Sequence, residues 1–374
     1  MNKKKSILFF VTEDWYFISH RLKLALFLKE KGYNVHLCCK DTGQFETILE
    51  QGIKCYDVKS RRKSLSGFHL LSEVISLVIC IKKVKPNILH LISLRPAVVG
   101  MIASLLFKKI HIFITFTGLG FIFIRQNIIT KTLRFILQIF FFAISRTRKV
   151  FAVVQNKDDY SYFLKNFFFR KDRINIIRGS GIDLKIFKKI EEKKSQKILI
   201  CYLGRMLKDK GVHWLIKGFK LAKKENKKIF LILAGELDKN NPTSFDKEEF
   251  RKIVDFPDIK HLGNVKDVRK VLNKCHIGAL LSKREGLPMS LMEIAAVGRP
   301  IIATDVPGCR EVAINKFNAI TVSPGDVRAV KDAILELANN KKLRLQYGKN
   351  SRKIIQGGME NDKIFKEYLN LYES

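Results

Sequence analysis

Glu285 and Glu293 bracket the segment Glu285-Gly-Leu-Pro-Met-Ser-Leu-Met-Glu293, which runs on through Ile-Ala-Ala-Val to Gly298-Arg-Pro300. An apolar run, His276–Leu281, comes directly before it and reads as a strand. Pro288 suits the first turn of a helix, where its missing N–H would have no partner. Gly286 lets the backbone come close to a ligand. The amides around Leu287–Leu291 then point at whatever sits above the strand end. That is an anion site, and a diphosphate is its natural guest. Two carboxylates next to phosphate are not phosphate ligands; they suit the hydroxyls of a sugar or a ribose. The bland alternative is a capped helix with solvated glutamates.

A second constellation is Gly204-Arg205-Met-Leu-Lys-Asp-Lys210-Gly211, directly after the apolar run Ile198–Leu203. A glycine at a strand end followed by Arg205 and Lys210 puts two cations at the crevice where doubly wound sheets bind ligands. Arg205 offers a planar fork for phosphate oxygens and Lys210 a movable point charge. Each charged hydrogen bond of this kind is worth about 1.5–3 kcal/mol. The alternative is a solvated charged loop, and Lys208 reads as surface.

These residues need strands to carry them. Short β-type runs alternate with longer helical patterns in two series. The first comprises Ile7–Val11, Asn34–Cys39, Lys54–Val58, Asn87–Ile92, His111–Phe116, Lys149–Val154 and Ile174–Ile177. The second comprises Lys197–Leu203, Lys228–Ala234, His276–Leu281, Pro300–Thr304 and Ala319–Val322. Alternation of this kind predicts α/β architecture with parallel sheets and crossover helices. Near-continuous apolar strands fit sheets covered on both faces. With 374 residues, two domains are expected. The polar run Lys188–Gln196 is the expected boundary, giving domains 1–190 and 191–359. No fixed short repeat is present.

Composition removes several classes. Hydrophobic residues make up 47% and Gly plus Pro only 30 positions, which excludes a disordered or collagen-like chain. The seven cysteines include no C-x-x-C, so neither a disulfide framework nor a zinc finger is read, and a reducing compartment is the default. Glu13 and Asp14 cut the first apolar run too short for a signal segment. There is no D-x-D, so no metal cofactor is expected.

Charge is the outlier: 70 basic against 35 acidic residues, a net +35. Between Glu73 and Asp158 there is no acidic residue at all, while 13 Lys/Arg occur there. A field of one sign seeks polyanions such as nucleic acid, anionic lipid or a phosphorylated substrate; compositional drift is the other source. No segment is a convincing membrane span, since Lys108 and Lys109 break Ala97–Ile124. Ile128–Ile144 carries Lys131, Arg134 and Gln138 on one side and Phe, Ile and Leu elsewhere. It reads equally as a core helix or as a basic amphipathic helix in a membrane interface.

The chain resembles the family 4 glycosyltransferases of the GT-B type, within them the bacterial enzymes of capsule, O-antigen and lipid-linked oligosaccharide assembly. The resemblance runs over nearly the whole length. Its carriers are Cys201-Tyr-Leu-Gly-Arg205, Lys210-Gly, Leu233-Ala-Gly-Glu236, His261-Leu-Gly-Asn-Val265, the Glu285/Glu293 block and Thr304-Asp-Val-Pro-Gly308 with Glu311. In the first half they are Trp15-Tyr-Phe-Ile-Ser-His20-Arg21, Thr117-Gly-Leu-Gly120 and Arg178-Gly-Ser-Gly-Ile-Asp183.

The resemblance implies two doubly wound Rossmann-like domains facing a cleft, the first for the acceptor and membrane, the second for the nucleotide-sugar, with a C-terminal helix near 360–374 packed back on the first. It implies catalytic roles for Arg205 and Lys210 on the diphosphate and for Glu285 on the donor sugar. Glu293 would hold the ribose, with Gly204, Gly286 and Leu287 near the phosphates and Glu236 and Val265 framing the base. On the acceptor side it points to Tyr16, His20, Arg21, His90, Arg95, Thr117 and Gly118. Two departures stand out. Glu13-Asp14-Trp15-Tyr16 replaces a Gly-Gly pair found in many relatives, and Thr117-Gly118 stands where some carry a histidine.

The implied activity is retaining, metal-independent transfer of a hexose or N-acetylhexosamine from a UDP-sugar to a polyprenyl-diphosphate-linked saccharide. The implied location is cytoplasmic, peripheral on the inner membrane face. Two other readings compete: a GT-B nucleotide-sugar isomerase, which should show more acid/base groups, and a basic nucleic-acid-binding protein. The second is disfavoured because the Phe residues sit in apolar runs and no RNA-binding signature occurs.

Overall fold

Side chains of β1 (Ser6–Glu13) alternate between two cores, because successive residues of a strand point to opposite faces. Ile7, Phe9 and Val11 enter one core; Leu8 and Phe10 enter the other. A strand apolar at every position is therefore covered on both faces. This is a computed structural model, and it describes residues 5–58, 67–118, 127–147, 149–166, 168–192, 195–238 and 241–374. The chain divides into two compact units: Met1–Ser180 with Ile364–Ser374, and Gly181–Lys363.

The first unit holds β1, β2 (Asn34–Lys40), β3 (Lys54–Asp57), β4 (Ile88–Ile92), β5 (His111–Phe116), β6 (Val150–Val154) and β7 (Ile174–Ile176). They form one parallel sheet in the order β3-β2-β1-β4-β5-β6-β7, which reverses direction between β1 and β4. The second unit holds β8 (Ile198–Leu203), β9 (Ile229–Ala234), β10 (Ile259–His261), β11 (Ile277–Leu280), β12 (Ile301–Thr304) and β13 (Ala319–Val322). Their order is β10-β9-β8-β11-β12-β13, again parallel, reversing between β8 and β11. The three-residue edge strand β10 is absent from the sequence reading; it alternates half-buried and exposed residues and carries no apolar run.

The expected boundary at Lys188–Gln196 is displaced. Its described residues are bound into the second unit: the Ile190 amide donates to Val297 O, and Arg299 Nη1 donates to Ile190 O at 2.9 Å. Glu192 takes a two-pronged bond from Arg344 at 2.8 and 3.1 Å, with both side chains buried. Breaking such a buried pair by removing one partner costs about 3–5 kcal/mol.

Residues Ile364–Ser374 complete the first unit. Ile364, Tyr368 and Tyr372 of the helix Asn361–Glu373 lie in the same core as Phe9 and Phe17. The opposite face of that sheet is covered by the helices Gly67–Val84, Leu94–Ser104 and Ile128–Thr147. Two of them carry a second apolar face pointing outward. On the first, Phe68, Leu71, Ile75 and Ile79 are exposed; on the last, Ile128, Ile129, Phe135, Ile136, Ile139 and Phe142 are. Ile128–Thr147 is long and apolar enough to cross a membrane by length and composition. It nevertheless buries Leu137, Phe141 and Ile144 in the core. The core reading of this segment thus holds for one face, while the other face is apolar and exposed.

Candidate functional site

In the second unit, four loops gather at the C-terminal ends of the strands beside the β8/β11 reversal, where open α/β sheets bind ligands. Gly204 and Arg205 follow β8, Gly235–Asp238 follow β9, Ser282–Leu287 follow β11, and Pro307–Gly308 follow β12. The loops touch through backbone. A Cβ at Gly308, which has φ of +80°, would lie 2.5 Å from the Gly286 carbonyl oxygen and 2.6 Å from that of Glu285. The Glu285 amide donates to Pro307 O, and Thr304 Oγ1 donates to Ser282 O at 2.5 Å.

Of the sequence-predicted groups, Lys210 and Glu285 meet here, while Arg205 finds a carboxylate the sequence did not single out. Lys210 Nζ lies 2.5 Å from Glu285 Oε1, which also accepts from Ser282 Oγ at 2.5 Å. Arg205 Nη1 lies 2.5 Å from Asp238 Oδ2. Tyr202, fully buried, donates to the Arg205 carbonyl at 2.7 Å and fixes the turn. The helix Met289–Ala296 starts after Pro288, which stands at the cap position and not inside the first turn; no side chain caps it. The amides of Leu291 and Met292 are taken by the Pro288 carbonyl, so the open end of the helix is narrower than the sequence suggests.

Glu293 projects from this helix with no cation or donor against it among the described residues. Burial alone pushes its carboxyl up to about 7. Glu236 is exposed, its carbonyl accepting from the Met206 amide at 2.8 Å, and Val265 packs against the core. Asp238 and Ser282 carry no sequence signal of their own. They lie in the same loops as Glu236 and Glu285, and that proximity was the only clue. Among the described residues no three His, Cys, Asp or Glu side chains group as a metal centre.

The acceptor-side candidates all lie in the first unit, and the structure sorts them. Tyr16 stacks on His20, rings 4.5 Å apart and 6° from parallel, and its hydroxyl stands near enough to Thr117 to interact with it. Ser19 Oγ lies 2.6 Å from His20 Nδ1. Burial, then the neighbouring Arg21 charge, pulls the His20 imidazole down to about 4, so it is neutral at physiological pH. Tyr16, His20 and Thr117 thus form one cluster at the ends of β1 and β5. Gly118 follows, with φ of +131°.

Two candidates are corrected. His90 is 0% exposed: Nε2 lies 2.7 Å from Thr115 Oγ1 and Nδ1 lies 2.7 Å from the Tyr372 hydroxyl. Arg21 is 1% exposed, under the ring of Tyr368 with its carbon 5.5 Å from the centroid. Both are interior groups, covered by the C-terminal helix. Among the described residues none of the Arg21 guanidinium nitrogens finds a hydrogen bond of ordinary geometry, although Tyr368 and Tyr16 stand near enough to interact with its charge.

Arg95 faces a separate small pocket with Thr12, Lys40 and Glu73. Glu73, 2% exposed, grips it with two bonds at 2.7 and 3.0 Å. Just before it, Ser93 has φ of +83°, a costly backbone state for a non-glycine residue. Asp14 is buried, and burial pushes its carboxyl up. The amides of Trp15, Thr42 and Gln44 and the Thr42 hydroxyl outweigh that and hold it below the usual carboxylate range. This is what the departure from Gly-Gly accomplishes: Asp14 ties the loop after β1 to the loop after β2. Leu119 and Gly120 of the quoted Thr-Gly-Leu-Gly motif lie outside the described residues.

Two family models match. "Glycosyl transferases group 1" covers residues 183–354 and "Glycosyl transferase 4-like" covers 6–154. The capsular polysaccharide biosynthesis glycosyltransferase CapM of Staphylococcus aureus is 24% identical over 370 residues, spanning 93% of this chain and 92% of the relative. The N,N'-diacetylbacillosaminyl-diphospho-undecaprenol alpha-1,3-N-acetylgalactosaminyltransferase of Campylobacter jejuni is 24% identical, spanning 94% of each. Among solved structures, a glycosyltransferase from Rickettsia africae superposes with a TM-score of 0.80 at 18% identity, covering 99% of this chain and 98% of that one. One model of glycosyltransferase type lies on each unit, on the two-Rossmann GT-B fold, and the chain accordingly belongs to the family 4 glycosyltransferases.

Proposed function

We propose that this glycosyltransferase moves a hexose or N-acetylhexosamine from a UDP-sugar to a polyprenyl-diphosphate-linked saccharide, with retention and without a metal, in cell-surface polysaccharide synthesis. The observation that carries the reading is the two ion pairs Lys210–Glu285 and Arg205–Asp238 on the loops at the β8/β11 reversal, with Glu293, unpartnered among the described residues, on the helix that follows. The names of the two relatives, one a capsule enzyme and one acting on a diphospho-undecaprenol saccharide, support the acceptor class.

Arg205, Lys210 and the open end of the Met289–Ala296 helix are placed to offset the charge that develops on a leaving diphosphate. Glu293 accepts from ribose hydroxyls, and Glu285 accepts from a hydroxyl of the sugar. The anomeric carbon loses its bond to the phosphate oxygen and gains one to the acceptor oxygen on the same face. The acceptor's proton passes to the departing phosphate. Tyr16, His20 and Thr117 belong to the acceptor side.

The same reading places the first unit on an anionic membrane surface at the cytoplasmic face. Its support is the pair of outward apolar helix faces together with a stretch from Glu73 to Asp158 that has no acid and 13 Lys/Arg. The test is thermal shift with UDP, GDP, ADP and CMP, then transfer of labelled sugar to a short-chain polyprenyl-diphosphate saccharide with and without EDTA. Anomeric proton coupling in the product reads the stereochemistry. Stabilisation by no nucleotide, or by all equally, would sink the donor reading.

A further inference from the structure

Both cations of the nucleotide-sugar site already hold a carboxylate. Lys210 is paired with Glu285 and Arg205 with Asp238, each at 2.5 Å. The four charges cancel, so a diphosphate meets no net positive charge among them until one pair opens.

The two pairs are not equivalent. Glu285 is 11% exposed and its lysine 27%, and Ser282 adds a second bond to the same carboxylate oxygen. Asp238 and Arg205 are more open, at 17% and 42%. They also sit on different loops, after β9 and after β8, so the pair can part without moving a strand. An ion pair this exposed holds weakly. A phosphate offers the arginine fork two parallel charged bonds, which are the stronger kind. The exchange from carboxylate to phosphate therefore runs downhill.

We propose that Asp238 is an internal stand-in for the donor's diphosphate: it holds Arg205 in the empty site, gives it up to the incoming nucleotide-sugar and takes it back as the nucleoside diphosphate leaves. The inference rests on the nucleotide-sugar reading of this site. Asp238 is then a positioning residue that weakens diphosphate binding and favours release of the spent nucleotide. It does not touch the nucleoside.

The test is calorimetric titration of UDP, GDP and the matching nucleosides into the wild type, Asp238→Asn, Asp238→Glu, Arg205→Met and the Asp238→Asn/Arg205→Met double variant. With whichever diphosphate the wild type takes, Asp238→Asn should bind about two- to fivefold tighter, the size expected for losing one exposed competing ion pair. Nucleoside affinity should be unchanged, Asp238→Glu should stay near wild type, and the gain should vanish when Arg205 is absent. Equal or weaker diphosphate binding by Asp238→Asn overturns the proposal, and so does a gain that persists without Arg205. If neither diphosphate binds the wild type, the donor-site reading itself falls and takes this inference with it.

Discussion

A methyl group added at Gly235 would lie 2.0 Å from the carbonyl oxygen of Gly204. The loops after β8 and β9 are thus in contact at the backbone, in a strand-end conformation with φ of +141° at Gly235. Gly235→Ala should lose about 2–4 kcal/mol from steric and backbone strain together. In thermal unfolding the melting temperature should drop by several degrees. Gly263→Ala is the control: it also has positive φ but meets nothing within 4 Å, so about 1 kcal/mol is expected. Equal losses in the two would mean that the loop contact is not tight.

Lys210→Met removes a cation from the leaving-group side and leaves Glu285 bonded to Ser282. Turnover should drop about 10- to 100-fold, the worth of one charged hydrogen bond in the transition state. Thermal stability should change little, because the pair is partly exposed. A steady-state transfer assay beside a melting curve separates the two effects.

Glu293 carries its own pH signature. Its carboxyl is raised from 4.5 to about 7 by burial, so the folded protein binds a proton that the unfolded chain has released between those values. Stability from this group is fully present below about 4.5 and is lost as pH rises through about 7. Glu293→Gln should therefore stabilise the protein at pH 8 more than at pH 5. Nucleotide affinity should rise with pH through about 7 in the wild type, as the accepting carboxylate forms, and be low and flat in Glu293→Gln. Denaturant melts and titrations at four or five pH values would show both.

His90 works in the opposite sense. Burial, then the Arg21 charge, holds its imidazole well below 6.5, so it stays neutral when folded. The unfolded chain takes up a proton below about 6.5, and stability falls as pH drops through that value. His90→Gln should lower stability at pH 7.5 by loss of the Thr115 and Tyr372 bonds and flatten the acid limb of the stability curve. A limb as steep as in the wild type would mean that other groups dominate it.

Replacing Ile75 and Ile139 by Glu puts charge on the two outward helix faces without entering the core. Each loses up to about 1.5–3 kcal/mol of apolar burial at a bilayer. Co-sedimentation with vesicles rich in anionic lipid should drop at least tenfold, while the melting temperature stays within a few degrees. Retained binding would remove the membrane reading of these faces.

Much of this site was legible because its parts are local. Gly204–Lys210 and Glu285–Glu293 each lie in one strand-to-helix connection, so sequence neighbours remain spatial neighbours. The strands were legible because burial on both faces makes them apolar throughout. What escaped depends on distant pieces of chain. His90 and Arg21 read as acceptor-side groups because nothing near them in sequence reveals that Tyr368 and Tyr372 cover them. Asp238 escaped because an acidic loop residue has meaning only beside its arginine. The polar look of Lys188–Gln196 suggested the domain boundary, since the arginines that bind it into the second unit, Arg299 and Arg344, come more than a hundred residues later. The outward face of Gly67–Val84 follows the helical spacing of Phe68, Leu71, Ile75 and Ile79, which the sequence analysis did not single out.

The packing of Ile364–Ser374 into the first unit sets an order of events at the ribosome. Residues up to Ser180 emerge first, yet the helix that seals Phe9, His90 and Thr115 is translated only after the whole second unit. At about 5–20 residues per second the delay is roughly ten to forty seconds. Throughout that interval the nascent first unit has an open core on one side and apolar helices on the other. It is then a client for chaperones or for the membrane itself, and truncation of the last turns should trap it in that state.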